Sequence, residues 1–524
     1  MERKWWTLLA VCVATFMLLL DITVVNVALP DIQRDLGASL SSLQWVVDAY
    51  SLTLAAFLLT AGSFADRIGR RRVFSVGFAV FTLASFLCGI SGNATLLNLA
   101  RGLQGVGGAA MFATSLALIA QEFQGRERGT AIGAWGATIG GAVAVGPLVG
   151  GALTEGFGWE WIFFVNVPIG IAAIVLTTTK LANLRAPDPE PIDWPGLATF
   201  SLGLFALIFG LIRGNPDGWS SAQIVFSLVA AAILLVAFVA IEYRTDHAML
   251  DLSLFRKPAF AGVSIVAVTL SAGMFAMFLY VTLYVQDVLD YSPLGAGARF
   301  LPLTLLSFFV APIAGKLSAR IPVRALLGVG LGLVGVGLLL MHGVALGDSW
   351  TTLLAGFLVA GAGIGMVNPG IASTAIGVVA PAKAGMASGI NNTFRQVGIA
   401  TGVAALGAVF QSQISSKLSE LAPQAPAGFA DAVSSGGGQA AIQSVPARAR
   451  EPLAIAADRA FISGFNEILL IGALVALTGA VLGFLLVRSR DFVGEHGGEP
   501  AAAAITAETS SPSAGEIPSP GARA

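Results

Sequence analysis

Charge is what this sequence has least of. Only 11% of its 524 residues are Asp, Glu, Lys or Arg, against roughly 25% in an ordinary soluble domain, which leaves too little charge to clothe a water-exposed globule. The formal net charge is −1, so there is no general basic field to gather nucleic acid, and none is expected as a partner. The three histidines, His247, His342 and His496, are scattered; no nucleophile, base or metal-ligand set surrounds them, which argues against a membrane-embedded enzyme. Both cysteines, Cys12 and Cys88, fall inside apolar runs, where they imply neither a disulfide framework nor a metal cluster and read as packing residues. The phosphate-cradling pattern G-x-x-x-x-G-K-[ST] is also missing, so ATP is not the expected energy source. No cofactor and no metal are expected.

What the sequence has in plenty is hydrophobic residues, 56% of the chain. A bilayer core takes about 20 apolar residues per helix, and fourteen runs of about that length stand between charges, Gly or Pro: 7–29, 43–64, 73–92, 96–119, 129–152, 161–179, 194–212, 222–242, 260–284, 295–318, 323–345, 351–378, 385–410 and 461–487. The first is too long for a cleavable signal and lacks a small-residue cleavage site. The expected fold class is therefore an all-α integral membrane protein. With the N-terminus inside, cytoplasmic segments hold 20 of the 29 Lys and Arg residues, as the positive-inside rule requires. An even number of spans puts both termini in the cytoplasm of a cell-membrane protein. Residues 411–460 then form an extracellular loop and 488–524, rich in Pro, Ser, Ala and Gly, a disordered cytoplasmic tail.

The chain repeats itself. Gly62, Arg67, Ile68 and Arg71 recur 253 positions later as Gly315, Arg320, Ile321 and Arg324, while Gly105, Gly107, Gly129 and Gly133 recur after 256 positions as Gly361, Gly363, Gly385 and Gly389. Two six-helix bundles follow, residues 1–182 and 258–487, with helices 7 and 8 and their linkers inserted at 183–257. Parallel repeats of this kind are a transporter signature, because rocking one half against the other exposes a midplane site to each side in turn.

Several stretches carry a family resemblance. GSFADRIGRRRVF, Gly62 to Phe74, resembles the loop motif after the second helix of the major facilitator superfamily, with Phe64 where leucine is commoner. LDITVVNVALP, Leu20 to Pro30, resembles the first-helix motif of that superfamily's fourteen-helix drug:proton antiporters, and RGLQGVGGAA, Arg101 to Ala110, its fourth-helix motif. GPLVGG, Gly146 to Gly151, resembles the fifth-helix antiporter motif, with Ala142 where another glycine is usual; WIFFVNVPIG, Trp161 to Gly170, is similar to a further family stretch. The resemblance implies two six-helix bundles plus two inserted helices, and proton-coupled efflux.

The residues themselves suggest roles. An arginine cluster satisfies topology unaided, but Asp66 does not follow from that rule. An aspartate here can accept N–H bonds at a helix start and pair with cations, while Gly62 and Gly69 permit close approach and a tight turn. The resemblance implies a cytoplasmic gating latch made of Gly62, Asp66, Arg67, Gly69, Arg70 and Arg71; simple anchoring is the alternative. The second copy has Ala319 at the aspartate position. Charges inside the apolar runs cost ~2.5–3.5 kcal/mol at a helix centre, so Asp21, Asp48 and Arg101 are expected either to couple protons to substrate or to fix packing. Counted at 1.5 Å per residue, all three lie ~8 Å from the outer edge of the core and share one layer. Their second-half counterparts include Met274 and Phe357, for Asp21 and Arg101, which confines coupling to the first half.

Gly133, Gly146, Pro147, Gly150 and Gly151 read either as ordinary tight packing or, as the resemblance implies, as a bent hinge between the halves that prevents leak. Asn26, Gln44, Tyr50, Gln104, Asn166, Asn368, Asn392, Arg395 and Gln396 are candidates for a substrate cavity, with helix-to-helix hydrogen bonding the competing role. The 32 phenylalanines offer apolar surface for lipophilic, cationic compounds. The expected function is proton-coupled efflux of such drugs by a monomer, the partners being small-molecule substrate, protons and the lipid bilayer. The alternatives are export of one endogenous metabolite, such as an antibiotic or a siderophore, and proton-driven uptake.

Overall fold

The computed structural model describes residues 2–37, 40–182, 191–245, 247–318, 320–380 and 383–492. Ala319, linker residues 183–190 and residues 493–524 of the expected tail lie outside the described residues, as do the side chains of Asn26 and Pro147. Among the described residues the fold is all-helical. The long helices are α1 (Arg3–Leu36), α2 (Leu40–Ile68), α3 (Arg70–Gly89), α4 (Ala94–Glu122) and α5 (Gly125–Phe157), then α6 (Trp161–Lys180), α7 (Trp194–Asp217) and α8 (Ala222–Glu242). The second half has α9 (Pro258–Val288), α10 (Leu301–Leu317), α11 (Val323–Met341), α12 (Trp350–Gly377), α13 (Ala384–Leu421) and α14 (Ala447–Leu486).

Local chemistry sets the ends. Gly37 closes α1 at φ 56° and returns its N–H to Gln33, a left-handed cap that glycine adopts without strain. Asn93 starts α4 by accepting the Leu96 N–H on its side chain. Between α2 and α3 the chain reverses in one residue, Gly69 at φ 110°, a region L side chains avoid. Outward faces stay apolar and uncovered, with Phe226 75% and Val236 70% exposed on α8, as contact with lipid tails requires.

Twelve of these helices are long and apolar enough to cross a membrane, thirteen if bent α5 counts as one span. The expected fourteen spans are therefore not reached on length and composition. The shortfall is at 295–318, where the run breaks at Phe300 into Pro293–Arg299 and the 17-residue α10; Pro302 opens α10, where its missing N–H costs nothing. Residues 411–460, expected as a loop, are largely helix, because α13 continues to Leu421 and α14 begins at Ala447. Hydropathy falls there, but the Ala-, Ser-, Leu- and Glu-rich sequence keeps its helix propensity.

The halves meet along two matching seams. On one, α2 lies against α13: a Cβ on Gly62 would run into the Gly385 carbonyl, and one on Gly389 would come within 2.8 Å of the Leu58 carbonyl and 3.0 Å of the Leu59 Cα. On the other, α5 lies against α10: a Cβ on Gly129 would run into the Gly315 carbonyl, and one on Gly133 would sit 2.8 Å from the Pro312 Cα. Gly62 and Gly315, Gly129 and Gly385, and Gly133 and Gly389 are the repeat-related pairs, so the two seams are copies exchanged between halves. The inserted α7 touches both halves. Ser201 and Thr60 of α2 are hydrogen-bonded at 2.9 Å, and Asn215 donates to the Ala404 carbonyl of α13 at 2.9 Å.

Candidate functional site

Asp21 and Arg101 form a buried polar cluster. Arg101 of α4 donates to Asp21 of α1 (Nη1 to Oδ2, 2.5 Å), to Gln104 Oε1 (2.7 Å) and to the Val46 carbonyl (2.8 Å). Gln104 donates to Asp21 Oδ1 (2.8 Å) and Ser85 Oγ (3.1 Å), and Asn166 reaches the same two atoms at 3.4 and 3.1 Å. The guanidinium lies 4.4 Å from the Tyr50 ring centroid and 5.7 Å from that of Phe163. Arg101 and Asp21 are 1% and 3% exposed. Such a buried pair holds only because its remaining donors and acceptors are satisfied. The Tyr50 hydroxyl beside it has no hydrogen-bond partner among the described residues. Thus Gln104, Asn166 and Tyr50, read from sequence as cavity candidates, belong to the Asp21–Arg101 cluster. Ser85, unremarked in the sequence, and Cys88, read there as a packing residue, complete it; the Cys88 thiol lies 3.7 Å from Gln104 Oε1.

Asp48 is not brought to that cluster. It stands two residues from Tyr50, about 200° round α2, and the charges acting on it are Arg213 and Asp217 of α7. Arg213 clasps Asp217 with two bonds (2.9 and 2.7 Å) and donates to Gln44 Oε1 at 2.8 Å. Gln44 therefore joins the inserted helix to α2. Arg213 was missed in the sequence; its signal was a lone arginine four residues before Asp217 in an apolar run.

At the opposite end Asp66 bridges the halves. Its carboxylate accepts from the backbone N–H groups of Gly385 (3.0 Å) and Met386 (2.8 Å) at the start of α13, and from Arg70 (3.1 and 3.0 Å). A carboxylate on a helix N-terminus is stabilised by the unpaired N–H groups and the dipole there. Arg67 donates to the Pro191 (2.6 Å) and His247 (3.0 Å) carbonyls beside the inserted pair, and Arg71 to the Leu181 carbonyl (3.2 Å).

Helix α5 bends by 46° between Glu127–Val143 and Leu148–Phe157, and Pro147, which supplies no N–H, lies in the break. The glycines on either side of the bend face different partners. Gly133 packs on α10 of the other half, whereas a Cβ on Gly150 would meet Val24 and one on Gly146 would meet Thr23, both in α1; Gly151 has open space around it. In the second half Arg395 donates to Asn368 Oδ1, Asn392 donates to the Phe112 carbonyl of α4 at 3.5 Å, and Gln396 is half-buried. A cavity of about 20 Å³, room for about one water, lies between the halves, lined by Ile139 and Val143 on one side and Phe278, Thr304, Ser307 and Asn368 on the other.

Two duplicated helical bundles of apolar helices, meeting on glycine seams and holding buried polar groups, are the architecture of a multi-pass membrane transporter. The chain belongs to the Major Facilitator Superfamily, whose family profile matches residues 11–403. It is 36% identical over 413 residues to the "Multidrug resistance protein Stp" of Mycobacterium tuberculosis (strain CDC 1551 / Oshkosh), covering 79% of this chain and 77% of that one. It is 32% identical over 490 residues to the "Tetracenomycin C resistance and export protein" of Streptomyces glaucescens, covering 92% and 91%. Its fold is similar to that of the proton:xylose symporter XylE (TM-score 0.62, 12% identity, covering 93% and 96%).

Proposed function

We propose that the chain is a proton-driven exporter of lipophilic compounds that works by alternating access in the cell membrane, as a monomer, with both termini and the arginine-rich end of α2 and α3 in the cytoplasm. The observation that carries this is the buried Asp21–Arg101 pair. Protonating Asp21 cancels one charge of the pair, leaving Arg101 held by Gln104, a carbonyl and two aromatic faces; the cluster then has two states of different charge and packing. Each pH unit across the membrane supplies about 1.4 kcal/mol per proton to drive that exchange. Asp66 on the start of α13 serves as the latch that closes the cytoplasmic side, and the bend in α5 keeps the closed path tight. Lipophilic cations are the class a carboxylate released from Arg101 would favour.

The test is Asp21→Asn, which keeps the shape and cannot titrate. Reconstituted in liposomes, it should lose accumulation driven by an imposed pH step while still binding substrate. Undiminished pH-driven accumulation would make the pair a packing device and send the search to Asp48. A dedicated exporter of one metabolite is the second reading, favoured by the resemblance to a resistance and export protein named for a single compound. A drug panel on expressing cells separates the two, since resistance to many compounds abolished by a protonophore supports the first.

A further inference from the structure

Three arginines lie almost wholly buried in the helices: Arg101, Arg213 and Arg395, at 1%, 8% and 6% exposure. Arg101 is neutralised by Asp21 and Arg213 by Asp217. Arg395 is not neutralised by any carboxylate among the described residues. Its hydrogen bond is to a neutral amide, Asn368 Oδ1, and its Nε has no partner among those residues. It is also deep. Arg395 stands eleven residues into α13 and Asn368 nine residues before the end of α12, ~16 and ~14 Å along their helices, near the centre of a core ~30 Å thick.

The surroundings of Arg395 are short of partners in the same way. Ser388, Asn391, Asn392 and Arg395 follow one another at helical spacing on one face of α13, and Ser388 Oγ, Asn391 Nδ2, Asn392 Oδ1 and Arg395 Nε are all buried without a hydrogen-bond partner among the described residues. Buried polar groups are ordinarily paired, so four unmet groups on one stripe mark a place where something polar belongs. The face is turned to the other half, since Asn392 reaches the Phe112 carbonyl, and Asn368 borders the inter-half cavity with Thr304 and Ser307. The remaining lining is Gly140 and the apolar Ile139, Val143, Phe278, Leu303 and Ile364. In the first half the repeat-related positions of Arg395 and Asn368 are Ile139 and Phe112, so this polar stripe is not duplicated.

We propose that Arg395, with the Asn391 amide and Ser388 hydroxyl, is the anchor for an acidic group on the transported compound, so that the substrates include lipophilic molecules bearing one carboxylate or one ionised phenol. The guanidinium offers a planar fork of N–H donors that fits a carboxylate with two bonds, and the apolar lining beside it faces the rest of the molecule once the halves part. The proposal rests on the export reading, and it adds lipophilic anions, held at Arg395, to the lipophilic cations that Asp21 would favour.

The test is binding to full-length protein in nanodiscs of zwitterionic lipid at pH 7.5, read by equilibrium dialysis. The probes are 1-pyrenebutyrate beside its primary amide, and 2,4-dinitro-1-naphtholate beside its methyl ether. At least one anion should bind tenfold or more tightly than its neutral analogue. Arg395→Gln should abolish that preference, and Arg395→Lys, which keeps the charge but not the fork, should retain part of it; monodisperse elution of both variants certifies folding. The anchor is overturned if wild type prefers neither anion, or if the preference survives in Arg395→Gln. The export reading is decided separately by whether wild-type liposomes accumulate the neutral amide under a pH step, so the two ideas fail independently.

Discussion

Gly385→Ala is the sharpest probe of the proposed latch. The added Cβ would lie 2.6 Å from Asp66 Oδ1 and 2.7 Å from the Gly62 carbonyl oxygen, where 3.4 Å is the start of ordinary contact. The deficit is about 0.7–0.8 Å. Gly62 is backbone and cannot rotate away, so α2 and α13 must part while the carboxylate is pushed off the helix start. The Gly385 N–H to Asp66 bond, now 3.0 Å, then lengthens to about 3.8 Å, beyond hydrogen-bond range, and the Met386 bond follows because the two oxygens move together. Hydrogen bonds to a charged group contribute ~1.5–3 kcal/mol each, so the closed arrangement loses ~3–6 kcal/mol. The lower figure already shifts an equilibrium on the order of a hundredfold. Ala387, 0% exposed beneath the latch, provides the readout: in an Ala387→Cys background, maleimide applied from the arginine-rich side should label Gly385→Ala at least tenfold faster than the parent. Asp66→Asn should add little on top, because both changes remove the same bonds. Equal labelling of Gly385→Ala and parent, or full additivity with Asp66→Asn, would refute the reasoning.

Arg213→Leu should lower the thermal midpoint of the purified protein, since it strips half-buried Asp48 of its nearby cation and Gln44 of its bond, and Asp48→Asn should restore part of the loss. An unchanged midpoint would mean that Asp48 draws its stabilisation from elsewhere. A reporter fused after Arg490 should read as cytoplasmic and one inserted at Gly436 as external, and the reverse result would overturn the proposed orientation.

What the sequence made legible was whatever breaks a strong rule. Asp21 and Arg101 stand out as charges in apolar runs, Asp66 as an acid among arginines, and the glycines as a repeat; each lies at a contact between helices. The rest depended on rotation about helix axes. Counting residues placed Asp48 at the depth of Asp21, but depth says nothing about azimuth, and 200° of turn sends it to α7. The same limit hid that Gly146 and Gly150 face α1 while Gly133 faces the other half. Hydropathy marks where a chain leaves lipid and not where a helix ends, which is why α13 and α14 extend past their expected limits, and a proline inside an apolar run shortened α10.

The seams between the halves are backbone laid on backbone. Most packed interfaces interlock side chains, so separating them requires many torsions to change together and leaves voids behind. Gly62 on Gly385 and Gly129 on Gly315 have no side chains to disengage. Parting them mainly uncovers peptide carbonyls, among them those of Gly385, Gly315 and Leu58, which entering water can hydrate at once. Close fit and easy release are therefore compatible at these glycines: the surfaces pack tightly when shut, yet part there with few side chains to disengage, as the proposed alternating access requires.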